Sequence, residues 1–411
     1  MREILSLLNP WWFGQPFETG VERPKYIKRL IASLENRRVT LLVGSRRVGK
    51  TTLLYQLINY LLAKTNPKQI FYLLLDHPQL ANEKILDLVK EVRKEFLLDR
   101  KEKLYLFLDE VQYLSDWEKE VKALVDLENV KIFLSGSAST MILFKTPYLT
   151  GRLEKIEVYP LDFSEFLAFK KVKVSPTETY KWEKFAEEYL QVGGYPEYVL
   201  EENPSYFSDL VNGILFKDIV SLYQLRNPEV LRDLLLLLAD RVGFQTTYSK
   251  LAKIVSLKVD TVKEYLFYLK NTFLVDELPR FSSSRGARIY GPKKFYLFDN
   301  GLLFHLLGKF SFGSALEQTI FNFFKAREEK IGFYYEAKKE VDFVREVGGG
   351  IELWEGKAKI DFDFEEKRKD YYQVARLLGA KRIVFVTRDL AKKERFKNLW
   401  WEFVPLWQLL I

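Results

Sequence analysis

The sequence of 411 residues contains no cysteine and only two histidines, His77 and His305. Without cysteine the chain has no disulfides, no zinc-thiolate sites and no thiol nucleophiles. Two histidines are too few for a histidine-rich metal site, and neither lies near a nucleophile-elbow motif. A serine hydrolase and most zinc enzymes are therefore disfavoured.

The chain also lacks a long hydrophobic run. No stretch approaches the roughly 18 to 20 consecutive apolar residues that a membrane-spanning helix needs. Residues 1–17 lack the apolar core and the small-residue cleavage site of a signal peptide. We therefore expect a soluble, cytoplasmic protein without a membrane partner. The formal net charge of +8 favours an anionic partner, but this charge carries weight only once it is localised.

The residues that are present predict an α/β fold. Residues 38–159 alternate short apolar runs with amphipathic stretches, as in a parallel sheet wrapped by helices. The chain length predicts two or three domains. Segment 162–200 is predicted to be helical and to end at a Gly-Gly-Tyr-Pro sequence at 193–196. The predicted strands are 39–43, 70–75, 104–108, 130–134 and 156–159 in the first part, and segments near 273–278, 294–298, 333–336, 341–345, 350–358 and 382–387 later.

One glycine-rich segment matches the phosphate-binding pattern G-x-x-x-x-G-K-[ST]. It lies between a predicted strand and a predicted helix at 52–62, where backbone N–H groups surround the phosphates of a nucleotide. Lys50 is predicted to reach the β and γ phosphates, and the Thr51 hydroxyl to ligate magnesium, so ATP and Mg²⁺ are the expected cofactors. The nucleotide-binding candidates are Gly44, Ser45, Arg46, Arg47, Val48, Gly49, Lys50, Thr51 and Thr52. Arg46 and Arg47 are unusual here, and contact with DNA, with a neighbouring subunit or with a lid all stay open.

Acidic and polar residues follow two later strands. Asp109 is predicted to hold the magnesium, and Glu110 to polarise the attacking water, so hydrolysis is expected. Ser137 or Ser135 either senses the γ phosphate or forms a tight turn. Arg152, after Thr150 and Gly151, either neutralises charge on the γ phosphate or is a surface arginine. The first role would be played in cis or from a neighbouring subunit of a homo-oligomer.

Residues 246–270 have the spacing of a helix-turn-helix, and the strands that follow would make it winged. Segment 279–294 is basic, contains no acid, and is expected to form a flexible wing that contacts phosphates. Asp260 and Glu264 share the predicted DNA-facing surface and would repel phosphates, so a protein partner is the alternative. The DNA-binding candidates are Lys263, Arg285, Arg288, Lys293 and Lys294.

Taken together, these segments resemble archaeal and bacterial P-loop ATPases of the AAA/STAND type, which carry a winged helix and a C-terminal domain similar to PD-(D/E)xK nucleases. The likeness rests on the phosphate loop and on segments 109–112, 135–137, 151–152, 160–166, 216–220, 294–299 and 340–344. The division that follows is an ATPase core at 1–160, a helical lid at 161–203, a winged helix at 204–304 and a nuclease-like domain at 305–411. The resemblance implies an ATPase that acts on DNA; the alternative is an ATP-dependent regulatory switch that binds proteins.

In the PD-(D/E)xK arrangement an acid and a Glu-x-Lys pair converge on a divalent metal. The candidate metal ligands are Glu317, Asp342 and Glu355, with Lys357 beside them. Glu352 competes with Glu355, because either residue fits the predicted strand. Tyr372 and Gln373 are further candidates for orienting the site. An inactive scaffold that only binds DNA or protein is the alternative.

Overall fold

The computed structural model describes residues 2–81, 83–137, 149, 151–225 and 227–411, without the side chains of residues 222, 362 and 363. The chain divides into two units, Met1–Val158 and Tyr159–Ile411. Thr150, which was considered together with Arg152, lies outside the described residues. Within the described ranges, no helix combines the length and the apolar character needed to cross a membrane.

The first unit is built on a parallel sheet. The first four strands lie close to their predicted bounds, because their apolar runs are buried on both faces of the sheet. The fifth strand, Leu153–Glu157, begins earlier than the predicted 156–159 and is only partly buried. The sheet order among the described residues is β2-β3-β4-β1-β5, and every neighbouring pair is parallel. The predicted α/β class with a parallel central sheet is thereby confirmed. The strands are β1 (Val39–Val43), β2 (Ile70–Leu74), β3 (Leu104–Asp109), β4 (Val130–Gly136) and β5 (Leu153–Glu157).

Amphipathic helices cover this sheet. In Ile85–Glu95 the buried residues Ile85, Leu88, Val89 and Val92 recur at helical spacing, which places one apolar face against the core. The helices are α1 (Arg2–Leu8), α2 (Pro24–Ser33), α3 (Lys50–Leu62), α4 (Ile85–Glu95) and α5 (Trp117–Leu127), with short 3-10 turns at Pro10–Phe13, Pro67–Gln69, Pro78–Leu80 and Val111–Tyr113.

The second unit begins with a helical region and a hairpin. Within the segment predicted as a helix-turn-helix, the apolar residues Leu251, Val262, Leu266 and Leu269 are all buried. The winged-helix assignment itself stays a prediction. The elements are α6 (Phe163–Phe169), α7 (Thr179–Val192), α8 (Pro196–Glu201), α9 (Tyr206–Asn212), a π-helical stretch (Gly213–Val220), α10 (Ser221–Tyr223), α11 (Pro228–Asp240), α12 (Tyr248–Ile254), α13 (Val259–Asn271), β6 (Val275–Pro279), α14 (Arg285–Tyr290), β7 (Lys293–Leu297) and α15 (Asn300–Leu307).

The unit ends in a mixed sheet rich in antiparallel pairs. Its order is β12-β13-β11-β10-β9-β8. The central strands β10, β11 and β13 are parallel, and the outer pairs are antiparallel. The elements are α16 (Phe312–Lys325), β8 (Ile331–Glu336), β9 (Lys339–Val347), β10 (Gly350–Lys357), α17 (Phe362–Leu378), β11 (Ala380–Thr387), β12 (Lys392–Phe396), β13 (Leu399–Pro405) and α18 (Leu406–Leu410).

The hairpin β6–β7 is fixed to this sheet. The Phe281 amide donates a hydrogen bond to the Phe333 carbonyl at 2.7 Å, just after β6, and β6 packs against β8. The connection between β6 and β7 contains the helix α14. The expectation of a flexible wing over 279–294 is therefore wrong, because both ends of the segment are held and its middle is helical.

A buried carboxylate joins two segments of the second unit that are far apart in sequence. The Gly194 amide donates to Asp299 Oδ2 at 2.6 Å, and Asp299 Oδ1 caps α15 by accepting from the Leu302 amide at 3.0 Å. A Cβ at Gly193, where φ is +77°, would lie 2.3 Å from Asp299 Oδ1. Glycine at 193 is therefore required by both the backbone conformation and the close approach of the carboxylate.

The four-part domain division remains a prediction. The helices expected to form a lid over 161–203 lie in the second unit. There α7 packs against α15, α16 and α18.

Candidate functional site

The phosphate loop connects β1 to α3. Gly49 precedes α3 in the left-handed region with φ +92°, and Arg47 has φ +62°. These conformations turn the chain so that α3 starts at Lys50, and its first N–H groups face the loop. Arg46 is half-buried, Arg47 is exposed, and Thr52 lies in the first turn of the helix.

Lys50 is buried beneath the loop. Its Nζ donates to the carbonyls of Gly44 and Ser45, both at 2.9 Å. The buried Arg23 supports the same loop through a bond from Nη1 to the Val48 carbonyl at 2.9 Å. Sequence reasoning missed Arg23, because it precedes the phosphate-binding pattern and belongs to no motif.

Gly44 leaves no room for a side chain. A Cβ there would lie 2.2 Å from the Val158 carbonyl oxygen, which belongs to the backbone and cannot swing away. We expect Gly44→Ala to push the loop away from β5 and to lower the free energy of unfolding by about 1–3 kcal/mol, with weaker nucleotide binding. Thermal unfolding and nucleotide titration measure both effects.

The matched control is Gly313→Ala, because a Cβ at Gly313 meets no atom within 4 Å. Gly313 lies in α16, where alanine is the better helix former. Equal unfolding temperatures for Gly44→Ala and the unmodified protein would contradict the proposed crowding.

Asp109 ends β3 and meets the phosphate loop. Thr51 Oγ1 donates to Asp109 Oδ2 at 2.6 Å, and the Tyr72 hydroxyl donates to the same oxygen at 2.8 Å. Ser135 Oγ donates to Asp109 Oδ1. Burial and the neighbouring charge of Glu110 raise the pKa of Asp109, while these three hydrogen bonds oppose the rise.

The Thr51 hydroxyl and the Asp109 carboxylate fit a magnesium site. Both are hard oxygen donors, which Mg²⁺ prefers. They are already 2.6 Å apart at the N-terminus of α3. Thr51 and Asp109 come from two separately predicted motifs, and the structure brings them into contact.

Glu110 lies beside Asp109, in the left-handed region with φ +59°. Its amide donates to Ser135 Oγ at 3.2 Å. Gln112 Nε2 donates to Glu110 Oε2 at 2.5 Å and to Ser137 Oγ at 3.2 Å. A buried amide therefore connects the predicted base to the predicted sensor. The sequence placed Gln112 in a motif but gave no sign of this role.

The structure corrects the prediction for Arg152 within one chain. Arg152 precedes β5, and its carbonyl accepts from the Val39 amide at the start of β1. In a parallel sheet these amino ends lie opposite the phosphate loop, about 15 Å away at the usual rise per residue. The guanidinium pairs with Asp126. Arg152 is therefore too far away to act in cis, and a role in a neighbouring subunit's site stays a prediction.

The second unit brings together the residues predicted for a nuclease-like site. The Asp342 amide donates to Glu355 Oε2 at 2.9 Å, and the Gly356 amide to Asp342 Oδ2 at 3.3 Å. Lys357 Nζ lies 3.0 Å from Glu355 Oε1. Glu317, from α16, lines the same cavity of about 580 Å³.

Of the two candidates for the acid beside Asp342 in the nuclease-like site, Glu355 rather than Glu352 lies there. Glu352 is three residues away and faces the other side of β10, where Arg382 and Arg345 bind it at 2.8 and 3.2 Å. The tyrosine that contacts Glu355 is Tyr371, at 2.9 Å. Tyr371 therefore occupies the orienting position that the sequence predicts for its neighbour Tyr372.

Two of the DNA-binding candidates are corrected by their burial. Lys293 and Lys294 are 3% and 1% exposed, so neither side chain is available to DNA phosphates. Arg285 and Arg288 are exposed on α14. Lys263 is exposed on α13 and pairs with Asp260 at 3.0 Å.

Residues 36–167 match the family model of the AAA domain, and residues 183–312 match a domain of unknown function. An uncharacterized protein of Haemophilus influenzae is 28% identical over 336 residues, which is 79% of this chain and 83% of that protein. The uncharacterized protein MJ1544 of Methanocaldococcus jannaschii is 30% identical over 325 residues, 75% of this chain and 72% of that protein.

Two DNA-bound assemblies also match among solved structures. One is the Aeropyrum pernix ORC1 protein in complex with DNA, with a TM-score of 0.35 and 12% identity over 70% of this chain and 93% of that chain. The other is Drosophila ORC bound to AT-rich DNA and Cdc6, with a TM-score of 0.26 and 13% identity over 75% and 94%. At these scores neither likeness supports a conclusion.

The parallel sheet, the phosphate loop and the family match together show an AAA domain over residues 36–167. The chain belongs to the same family as MJ1544 of Methanocaldococcus jannaschii.

Proposed function

We propose that the protein binds ATP with magnesium at the phosphate loop, hydrolyses it, and uses this cycle to act on DNA. The observation that carries the proposal is the 2.6 Å contact between Thr51 Oγ1 and Asp109 Oδ2. This contact unites the phosphate-binding and metal-binding halves of the site.

Each residue of the site has a distinct task in this proposal. Lys50 exchanges its two carbonyl partners for phosphate oxygens, which places its charge against the triphosphate. Thr51 and Asp109 hold Mg²⁺, which neutralises charge on the phosphates when bound. Glu110 accepts the proton of the attacking water. Gln112 holds the Glu110 carboxylate in position and contacts Ser137.

The DNA part of the proposal rests on a basic surface around the helix-turn-helix. Lys250, Lys253 and Lys258 are exposed on α12 and on the turn that leads into α13. Lys258 is the residue immediately before α13, where the helix N-terminus also favours a phosphate. We therefore propose these three lysines as DNA contacts in place of Lys293 and Lys294. The exposed candidates on α13 and α14, Lys263, Arg285 and Arg288, are retained.

We expect the triple change of Lys250, Lys253 and Lys258 to glutamate to weaken DNA binding at least about 10-fold. The slope of log affinity against log salt should also become shallower by about 2 to 3, because three phosphate contacts are lost. Fluorescence anisotropy with duplex DNA at several salt concentrations measures both quantities.

The matched control makes the same charge change at Lys171, Lys173 and Lys184, which are exposed on or beside other helices of the unit. Equal losses in both triple variants would show that only total charge matters. Coupling to the nucleotide is tested separately: an ATP turnover rate that does not change when DNA is added would refute the proposed link.

A regulatory switch with a protein partner is the second candidate, and one observation favours it. The exposed face of α13 carries Asp260, Glu264 and the partly exposed Phe267 beside Lys263. This mixed surface suits a protein better than a phosphate backbone. Unchanged DNA affinity in the lysine-to-glutamate variant would favour the switch.

The residues of the nuclease-like site are arranged around the ammonium group of Lys294. For this reason we do not propose metal-dependent DNA cleavage by the second unit.

A further inference from the structure

Lys294 enters the nuclease-like site from β7 of the hairpin. Its Nζ lies 3.0 Å from Glu317 Oε1, 3.0 Å from Glu340 Oε1 and 3.0 Å from Asp342 Oδ1. Two of its N–H groups donate to Glu317 Oε1 and Asp342 Oδ1, and the Glu340 carboxylate forms a third ion pair beside them. The Lys294 side chain is 1% exposed, while that of Glu340 is 40% exposed.

Several of the carboxylate oxygens in this cluster also accept hydrogen bonds from other groups of the protein. The Tyr296 hydroxyl donates to Glu317 Oε1 at 2.7 Å, and the Gly356 amide to Asp342 Oδ2 at 3.3 Å. Glu355 accepts from the Tyr371 hydroxyl at 2.9 Å. It also accepts from the Asp342 amide and contacts Lys357 Nζ at 3.0 Å. A metal ion would have to displace several of these donors.

A divalent metal needs a different arrangement. Magnesium takes oxygen ligands at about 2.0–2.1 Å in octahedral geometry, which requires several oxygens to point at one empty position. In this site Asp342 and Glu317 direct oxygens at an ammonium nitrogen 3.0 Å away. Across the described part of the chain, no group of three or more acidic, histidine or cysteine residues is placed to hold a metal ion.

We propose that Lys294 is the resident cation of the nuclease-like site and takes the place that a divalent metal holds in PD-(D/E)xK nucleases. The second unit then keeps the architecture of such a domain without its metal chemistry. Because Lys294 belongs to β7, the ion cluster also ties the hairpin after the helix-turn-helix to α16 and β9. The proposal is independent of the ATP site.

The test is Mn²⁺ titration of the full-length, nucleotide-free protein by calorimetry. The unmodified protein and Asp342→Asn should give the same weak isotherm, because no metal enters the cluster. Lys294→Met should bind Mn²⁺ at least about 10-fold more tightly than the unmodified protein, since its carboxylates lose their cation. Asp342→Asn added to Lys294→Met should remove this binding.

The matched control is Lys293→Met. Lys293 is the neighbouring lysine of β7, is also buried, and contacts the Arg288 carbonyl rather than the cluster. It should create no Mn²⁺ site. Binding of Mn²⁺ by the unmodified protein that disappears in Asp342→Asn would overturn the proposal. So would metal-dependent DNA nicking that requires Asp342, and both results stand even if Lys294→Met does not fold.

Discussion

Replacing Glu110 with glutamine is expected to lower ATP turnover by about 100- to 10,000-fold, the usual contribution of a general base, while ATP binding stays close to that of the unmodified protein. The amide keeps the size of the side chain and can still bond to Gln112, which lies 2.5 Å from Glu110 Oε2. It cannot accept a proton from water. Phosphate release under saturating ATP gives the rate, and titration with a fluorescent ATP analogue gives the affinity.

A matched control is Glu91→Gln on the exposed side of α4, which removes the same charge away from the site. Turnover should not change in that variant. If Glu110→Gln hydrolysed ATP at the original rate, Glu110 would not be the base. Loss of binding together with turnover would instead assign Glu110 to the metal or to the folding of the site.

The placement of Glu110 explains why a small network is needed around it. Its left-handed backbone conformation is uncommon for a non-glycine residue and costs free energy that the surroundings must offset. The Ser135 hydroxyl accepts its amide hydrogen, and Gln112 holds its carboxylate. Gln112 also contacts Ser137, the residue that follows β4. A movement of Ser137 would therefore be transmitted to the Glu110 carboxylate through the Gln112 side chain.

The phosphate loop and the acid that ends β3 could be predicted because each depends on a short, continuous segment of the sequence. Lys50 and Thr51 follow a buried strand within a spacing that only a phosphate loop explains well. Asp109 ends another buried strand, and the carboxyl ends of parallel strands meet at one edge of a sheet. The contact between Thr51 and Asp109 follows from these two facts.

The errors came from residues whose role depends on packing between distant segments. Lys293 and Lys294 are predicted to contact DNA because they belong to a basic segment, 279–294, that contains no acid. The sequence does not show that acids on α16 and β9 surround Lys294. Strand β12 is missing from the predicted set because four of its five residues are charged. Strand β13 is also missing, although its buried residues alternate with more exposed ones.

Arg152 illustrates a different point, because its exposed ion pair with Asp126 agrees with the alternative of a surface arginine. The parallel sheet was predicted correctly, and a residue that precedes a parallel strand must lie at the edge opposite the nucleotide. The information needed to reject a role in cis was thus already contained in the predicted topology. Whether Arg152 acts in the nucleotide site of a neighbouring subunit depends on how chains assemble, which the topology of one chain does not determine.

Lys50→Met is expected to weaken ATP binding by about 10- to 100-fold, the range for losing charge-assisted hydrogen bonds to an anion, and to stop measurable turnover. Methionine keeps much of the buried stem but removes the ammonium, which bonds to the Gly44 and Ser45 carbonyls at 2.9 Å. The loop therefore also loses two internal bonds. For this reason the unfolding temperature must be measured beside the affinity.

The comparison that isolates the charge is Lys64→Met, an exposed lysine just beyond the end of α3, which should leave binding and turnover unchanged. If Lys50→Met unfolds at nearly the original temperature and still binds ATP as tightly as the unmodified protein, the phosphate loop does not hold the triphosphate. If the variant is strongly destabilised, binding at a temperature well below its unfolding transition separates loss of the loop from loss of the charge. Only a folded variant with weakened affinity supports the assignment of Lys50 to the phosphates.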